Sequence, residues 1–280
     1  DVLVSNCRVV ENKQGVAIFC SDCSITGNTI ENNTGSGVVI RSQDGILARP
    51  KVSDNSIANN VACGVVIEGK QCFPVICRNE IFSNKNSGIS LAKFAKALVF
   101  RNHIRENILH GIAVCESASG HFEHNVISAN LKSNMSLGPS PDQSSILYNK
   151  LSFARGEGIF LLGANARIYS NEIYKNQTGV LGINCWVQIF KCRVHENRDH
   201  GILMMKKSTF TALFNKIYQN SGVGLFLRDE VRGSLDRNEI KGNEIDLLLE
   251  QKSEIQQEIL KQNDLGKDVR IPSKTLCQIF

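Results

Sequence analysis

One short pattern recurs along nearly the whole sequence, and it sets what the chain can fold into. From Asn102 to Val114 the residues run N-H-I-R-E-N-I-L-H-G-I-A-V. This is an Asn, an Ile two places on, a second Asn at the fifth place and a Gly at the ninth. The pattern starts at Cys7, Asn28, Asn55, Asn79, Asn102, Asn125, Asn149, Asn171, Cys192, Asn215 and Asn238, at spacings of 21 to 27 residues. The second place is aliphatic in every copy, from Val9 to Ile240. The fifth is Asn in all copies but one, where Ala154 stands, and in one copy Asn134 takes the place of the Gly. A repeat of this length builds stacked units, each burying its apolar side against its neighbours.

Within each unit, apolar residues alternate with polar ones over short β-branched runs. Val65/Ile67, Ile89/Leu91 and Ile159/Leu161 follow the Gly, and Ile25, Val52, Ile76 or Val99 stands three residues before the first Asn. Such runs, punctuated by Asn and Gly, are strands and turns. Asn and Gly tolerate the left-handed backbone of sharp corners. Three short strands per unit predict an all-β, single-stranded, right-handed parallel β-helix of about eleven coils over residues 1–249. Leucine-rich repeats share the period but are rich in Leu and need room for a helical segment in each unit. The Asn columns are expected to hydrogen-bond the backbone of adjacent coils.

Residues 250–280 read as a C-terminal cap. Ser253 and Gln256 fit a capping box, with Ile255, Ile259 and Leu260 on one helical face. The opening Asp1-Val-Leu-Val, without Met, suggests a fragment of a longer protein. Two insertions break the rhythm, Ser42–Pro50 and Leu131–Ser145, and read as exposed loops. The second contains Ser140-Pro141, a phosphorylation candidate at Ser140.

Net charge is +5 and dispersed, too mild to argue for nucleic acid. No apolar run is long enough to span a bilayer. Ten cysteines without a framework spacing suit a reducing compartment. Cys20/Cys23 and Cys72/Cys77 lack matching ligand pairs, so neither a metal nor another cofactor is expected.

Function must come from outward columns shared by successive coils. The slot between the paired apolar residues after the Gly contains no carboxylate, so the chain is expected to be non-catalytic. That slot holds Phe160, Leu181, Leu203 and Phe226, an apolar stripe expected to be covered, either by the chain's own terminal segment or a further domain, or by a docked protein partner. On this reading, replacing Phe160 and Phe226 by Ser leaves the melting temperature nearly unchanged. Tyr174, His195 and Tyr218 form a second column, able to bind sugar rings or simply to pair across strands. Arg78, Arg101 and His124 form a third, a modest anion-binding candidate.

The coil motifs, with Gly64-Val-Val-Ile-Glu-Gly-Lys70 and Phe214-Asn-Lys-Ile-Tyr-Gln-Asn220, resemble the C-terminal β-helix of the Shc SH2-domain-binding protein family. That family includes Nessun dorma and a testis spindle-associated paralogue. The resemblance implies a cytoplasmic, cytoskeletal protein of the spindle or midbody, with a centralspindlin-type complex as protein partner in cytokinesis or germ-cell division. It also implies affinity for β-galactoside glycans, as in one member. The coil motif is shared with pectin-lyase-like enzymes, whose acid clusters this sequence lacks. The leading expectation is a non-catalytic binding module of an intracellular scaffold; the alternatives are a glycan-binding module and a polysaccharide lyase or hydrolase.

Overall fold

A computed structural model describes residues 2–43, 45–250, 253–255 and 262–271. Its strands fall into three parallel sheets of twelve strands each, and every strand pairs with those three before and three after it in the chain. The chain therefore winds as a right-handed β-solenoid, three strands to a coil. Taking one coil as example, β13 (Lys96–Phe100) lies in the first sheet, β14 (His103–Arg105) in the second and β15 (Ile112–Val114) in the third.

The register follows the repeat without slippage. Ile81 pairs with Ile57 and Ile104 in the second sheet, and Leu91 with Ile67 and Val114 in the third. Stacking these positions makes a continuous apolar column inside the coil. Ile57, Ile81, Ile104, Ile76, Val99, Ile89 and Leu91 are fully buried. Local bulk is matched across coils: a Cβ on Gly182 would lie 2.3 Å from Met204 Cε, so the glycine makes room for that side chain.

Both Asn columns form buried ladders. The Asn102 Oδ1 accepts from the backbone N and the Nδ2 of Asn79, each at 3.0 Å, while Asn79 Nδ2 also reaches Val52 O at 2.9 Å. Asn84 and Asn107 repeat this at the fifth place. Each amide satisfies corner groups that would otherwise be buried unpaired, a cost of about 1–3 kcal/mol apiece. Asn263 adds a rung beyond the eleven copies, accepting from Asn238 at 2.8 Å.

The left-handed corners are not at the repeat glycines. They fall one residue before the first place of the repeat (Arg78, Arg101, His124, Tyr148, Lys191) and one before the fifth (Glu106, Ala129, Phe153, Lys175), with φ between 52° and 58° for these residues, and again just after third-sheet strands, at Lys93, Glu116, Asn184 and Lys206. The repeat glycines answer a different need. A Cβ on Gly64 would lie 2.5 Å from Ile81 Cγ2 and 2.6 Å from the carbonyl oxygen of Gly88. Glycine is required there because adjacent coils approach closely.

Glu254–Ile255 form strand β34, paired with β31 (Arg232–Asp236), where a helix was expected. The remainder of that expected helix, 256–261, lies outside the described residues. No helix occurs among the described residues, and none is long and apolar enough to cross a membrane.

Candidate functional site

The second sheet is flanked on both sides by the left-handed corners, which turn the backbone sharply at each end of a three-residue strand. Four outward columns per coil result: a corner residue, the two outward strand residues and the second corner residue. Successive coils repeat these columns at about 4.8 Å.

One strand column carries Tyr174, His195 and Tyr218 in direct register. The rings stack with centroids 5.3 and 4.8 Å apart and planes within 3° and 5° of parallel. Phe153 meets Tyr174 edge-on at 6.0 Å. Stacking along the solenoid axis covers the ring faces with one another, so the sheet presents ring edges to solvent. His195 is buried, with Nδ1 3.0 Å from Glu196 Oε1 and Nε2 without a hydrogen-bond partner, 3.7 Å from Glu172 Oε1.

The other strand column mixes charges, running Lys150, Glu172, Arg193, Lys216 and Glu239. Arg193 lies 2.6 Å and Lys150 3.7 Å from Glu172, and Lys216 lies 3.0 Å from Glu239. The corner column beside it holds His124, Tyr148, Ser170 and Lys191. His124 stacks on Tyr148 at 5.1 Å, and Tyr148 meets Tyr169 edge-on at 5.5 Å.

These two columns enclose a groove of about 380 Å³ lined by His124, Tyr148, Lys150, Glu172, Lys191 and Arg193, with ladder residues Asn149 and Asn171. A hydrogen bond from Lys191 holds the Tyr169 phenol below its ordinary range. Loss of hydration, reinforced by Tyr169, pushes the Tyr148 phenol above it. Two adjacent phenols are thus displaced in opposite directions.

The other sequence candidates are less well grouped. Arg78, Arg101 and His124 do share one corner column, but Arg78 is held in a two-bond pair with Asp54 at 2.7 Å. His124 belongs to the groove instead. Phe160, Leu181, Leu203 and Phe226 align in the third sheet and continue to Leu248. Phe226 is nevertheless buried, with His200 edge-on at 5.5 Å, so it is packing as well as surface. The Ser140 hydroxyl donates to Ser117 O at 3.2 Å and accepts from Asp142 N. Sequence reasoning missed Tyr148, Lys150, Lys191 and Arg193. The signal was present, because Tyr148 and Lys191 continue the column begun by Arg78, Arg101 and His124.

The model of the right handed beta helix region matches residues 1–75 and 140–266. That of the periplasmic copper-binding protein NosD matches residues 75–191. Among the described residues no three His, Cys, Asp or Glu side chains gather as a metal site. No curated protein matches the chain. Among solved structures, it is similar to the A-module of a mannuronan C-5 epimerase from Azotobacter vinelandii, with TM-score 0.64 and 14% identity, over 96% of this chain and 92% of that one. A periplasmic alginate epimerase gives TM-score 0.59 and 17% identity, over 91% and 72%. The catalytic domain of Agl-KA gives 0.50 and 12%, over 90% and 60%. At these identities the likeness shows the fold alone.

Three expectations are corrected by these findings. The intracellular spindle scaffold, with its centralspindlin-type partner, gives way because the similar structures are carbohydrate epimerases and not cytoskeletal proteins. The cytoplasmic placement gives way to relatives described as periplasmic. The cysteine argument behind it fails physically: Cys63, Cys72, Cys77, Cys185 and Cys192 are buried as small core side chains, which says nothing about compartment. The non-catalytic expectation gives way because the similar structures are enzymes. It rested on one outward slot of the third sheet, whereas the second sheet carries Lys150, Glu172, Arg193 and Lys216 in one column.

Proposed function

This chain belongs to the right-handed β-helix family, and from that membership we propose that it engages an extended glycan along its second sheet. The observation that carries the reading is a column of three aligned rings (Tyr174, His195, Tyr218) beside a column of mixed charges (Lys150, Glu172, Arg193, Lys216) on four consecutive coils. Sugar hydroxyls both donate and accept, and here carboxylates accept while guanidinium and ammonium groups donate. The ring edges supply apolar contact between those polar points. The likeness to epimerases of mannuronan and alginate supports a glycan as the ligand. Of what the resemblance to the Shc SH2-domain-binding family implies, the β-galactoside affinity is the part that agrees with this reading.

Turnover of the glycan is the second reading, and the oppositely displaced Tyr148 and Tyr169 favour it. Neighbouring titratable groups driven apart are suited to serve as acid and base. A glycan array comparing wild type with the Tyr174→Ala/Tyr218→Ala variant tests the binding reading: the signal is expected to disappear, and equal signal from both proteins would remove it. Product analysis on the bound glycan with wild type and Tyr169→Phe tests the second. Conversion by wild type alone supports it, and absence of any conversion by wild type rejects it.

A further inference from the structure

We propose that the groove between His124, Tyr148, Lys150, Lys191 and Arg193 is a subsite for an acidic sugar, one bearing a carboxylate or a sulfate. This rests on the glycan reading and narrows it to a substrate class.

Three cations, Lys150, Lys191 and Arg193, line the groove against one carboxylate, Glu172. Lys150 and Arg193 share that carboxylate at 3.7 and 2.6 Å. Lys191 sits apart from it, 5.6 Å from the Tyr169 ring centroid. The lining side chains therefore carry two more positive charges than negative, with the Glu123 carboxylate 3.2 Å from His124 at the edge. A group that both accepts hydrogen bonds and carries negative charge makes the stronger, charge-assisted bonds to these donors and offsets the excess positive charge. One coil further on, Lys216 is paired with Glu239 at 3.0 Å. The surroundings suit a sugar: Tyr148 is 44% exposed beside the cations, with His124 stacked on it. A ring held against Tyr148 places its substituents toward Lys150 and Lys191.

The experiment measures binding of three matched oligosaccharides: oligogalacturonate, its carboxyl-reduced neutral form, and a sulfated oligogalactan. They are titrated into wild type, Lys150→Met/Lys191→Met, and Lys85→Met as a control cation elsewhere, each checked for folding by its melting curve. The expected result is at least tenfold tighter binding of an acidic form than of the neutral one, lost in Lys150→Met/Lys191→Met, kept in Lys85→Met and weakened by salt. The tighter acidic form then identifies carboxylate or sulfate as the natural group. Equal binding of neutral and acidic forms overturns the acidic subsite but leaves the glycan reading standing. Acid-selective binding unchanged in Lys150→Met/Lys191→Met places the subsite elsewhere and also overturns it. Failure of wild type to bind any glycan, here and on the array, overturns both.

Discussion

Asn134 donates from Nδ2 to Asn176 Oδ1 at 3.0 Å and so carries the inner amide ladder across the coil where Ala154 interrupts it. Its own Oδ1 accepts from Asn130 at 2.9 Å, which completes the bridge. Asn134 stands where the other coils have Gly, and three departures from the repeat make this possible together. Ala154 removes the amide that a Cβ would meet, as it would at Gly111, 2.8 Å from Asn130 Nδ2. Leu151 replaces the β-branched residue whose Cγ2 blocks the equivalent place at Gly158. The vacated volume is then filled by the Asn134 side chain.

Restoring only half of the pattern is therefore expected to harm the protein. Ala154→Asn crowds Asn134 and costs about 1–3 kcal/mol. Combining it with Asn134→Gly relieves the crowding, with a coupling of about 1–3 kcal/mol. Denaturant unfolding of the four proteins in the cycle measures this, and simple additivity would show that the two sites are independent.

Cys192 is the weak rung of the outer ladder. Its Sγ lies 3.4 Å from Asn171 N and 4.0 Å from Asn171 Nδ2, where the other rungs present an amide oxygen near 3.0 Å. Cys192→Asn restores both bonds, a gain of about 0.5–1.5 kcal/mol each. It also changes the alkaline limb. Burial pushes the Cys192 thiol up to about 12 from its ordinary 9.0. The unfolded chain loses this proton first, so stability present below pH 9.0 declines as pH rises toward 12. Titrating stability from pH 8 to pH 12 should give a shallower decline in Cys192→Asn than in wild type.

Ala129 occupies an exposed left-handed corner at φ 54°. A Cβ in that region costs roughly 1–2 kcal/mol, against about 0.5–1 kcal/mol of entropy for glycine. Ala129→Gly is expected to raise stability by about 0.5–1 kcal/mol. Unchanged or lower stability would show that the corner is not strained.

Phe226 behaves as core, contrary to the reading of its column as surface alone. Phe226→Ser removes a buried ring and is expected to cost about 3–5 kcal/mol. Leu203→Ser, on a half-buried side chain one coil earlier, costs less. Equal melting curves for wild type and Phe226→Ser would place the ring outside the packed interior.

The architecture was legible because the same residue types recur at the same places. Aliphatics such as Ile57 and Ile81 point inward, and the Asn columns do stack as ladders. The origin of the repeat Gly was not legible, since close approach of Gly64 to the Gly88 carbonyl depends on the distance between coils and not on local turn chemistry. Nor was the burial of Phe226, which depends on His200 in the neighbouring coil. The Tyr174, His195 and Tyr218 alignment was legible from spacing, but their mutual coverage was not, because side-chain rotation decides it. The groove was half legible. Its corner column begins with Arg78 and Arg101, yet the cations that matter arrive with Lys150, Lys191 and Arg193, after Tyr148 interrupts the basic run.

The most direct test is to map amide chemical-shift changes as a binding oligosaccharide is titrated into the protein. The largest changes are expected on Lys150–Ser152, Glu172–Tyr174, Arg193–His195 and Lys216–Tyr218, together with Tyr148 and Lys191. Changes confined to the third sheet around Leu181 and Leu203, with the second sheet silent, would contradict this placement.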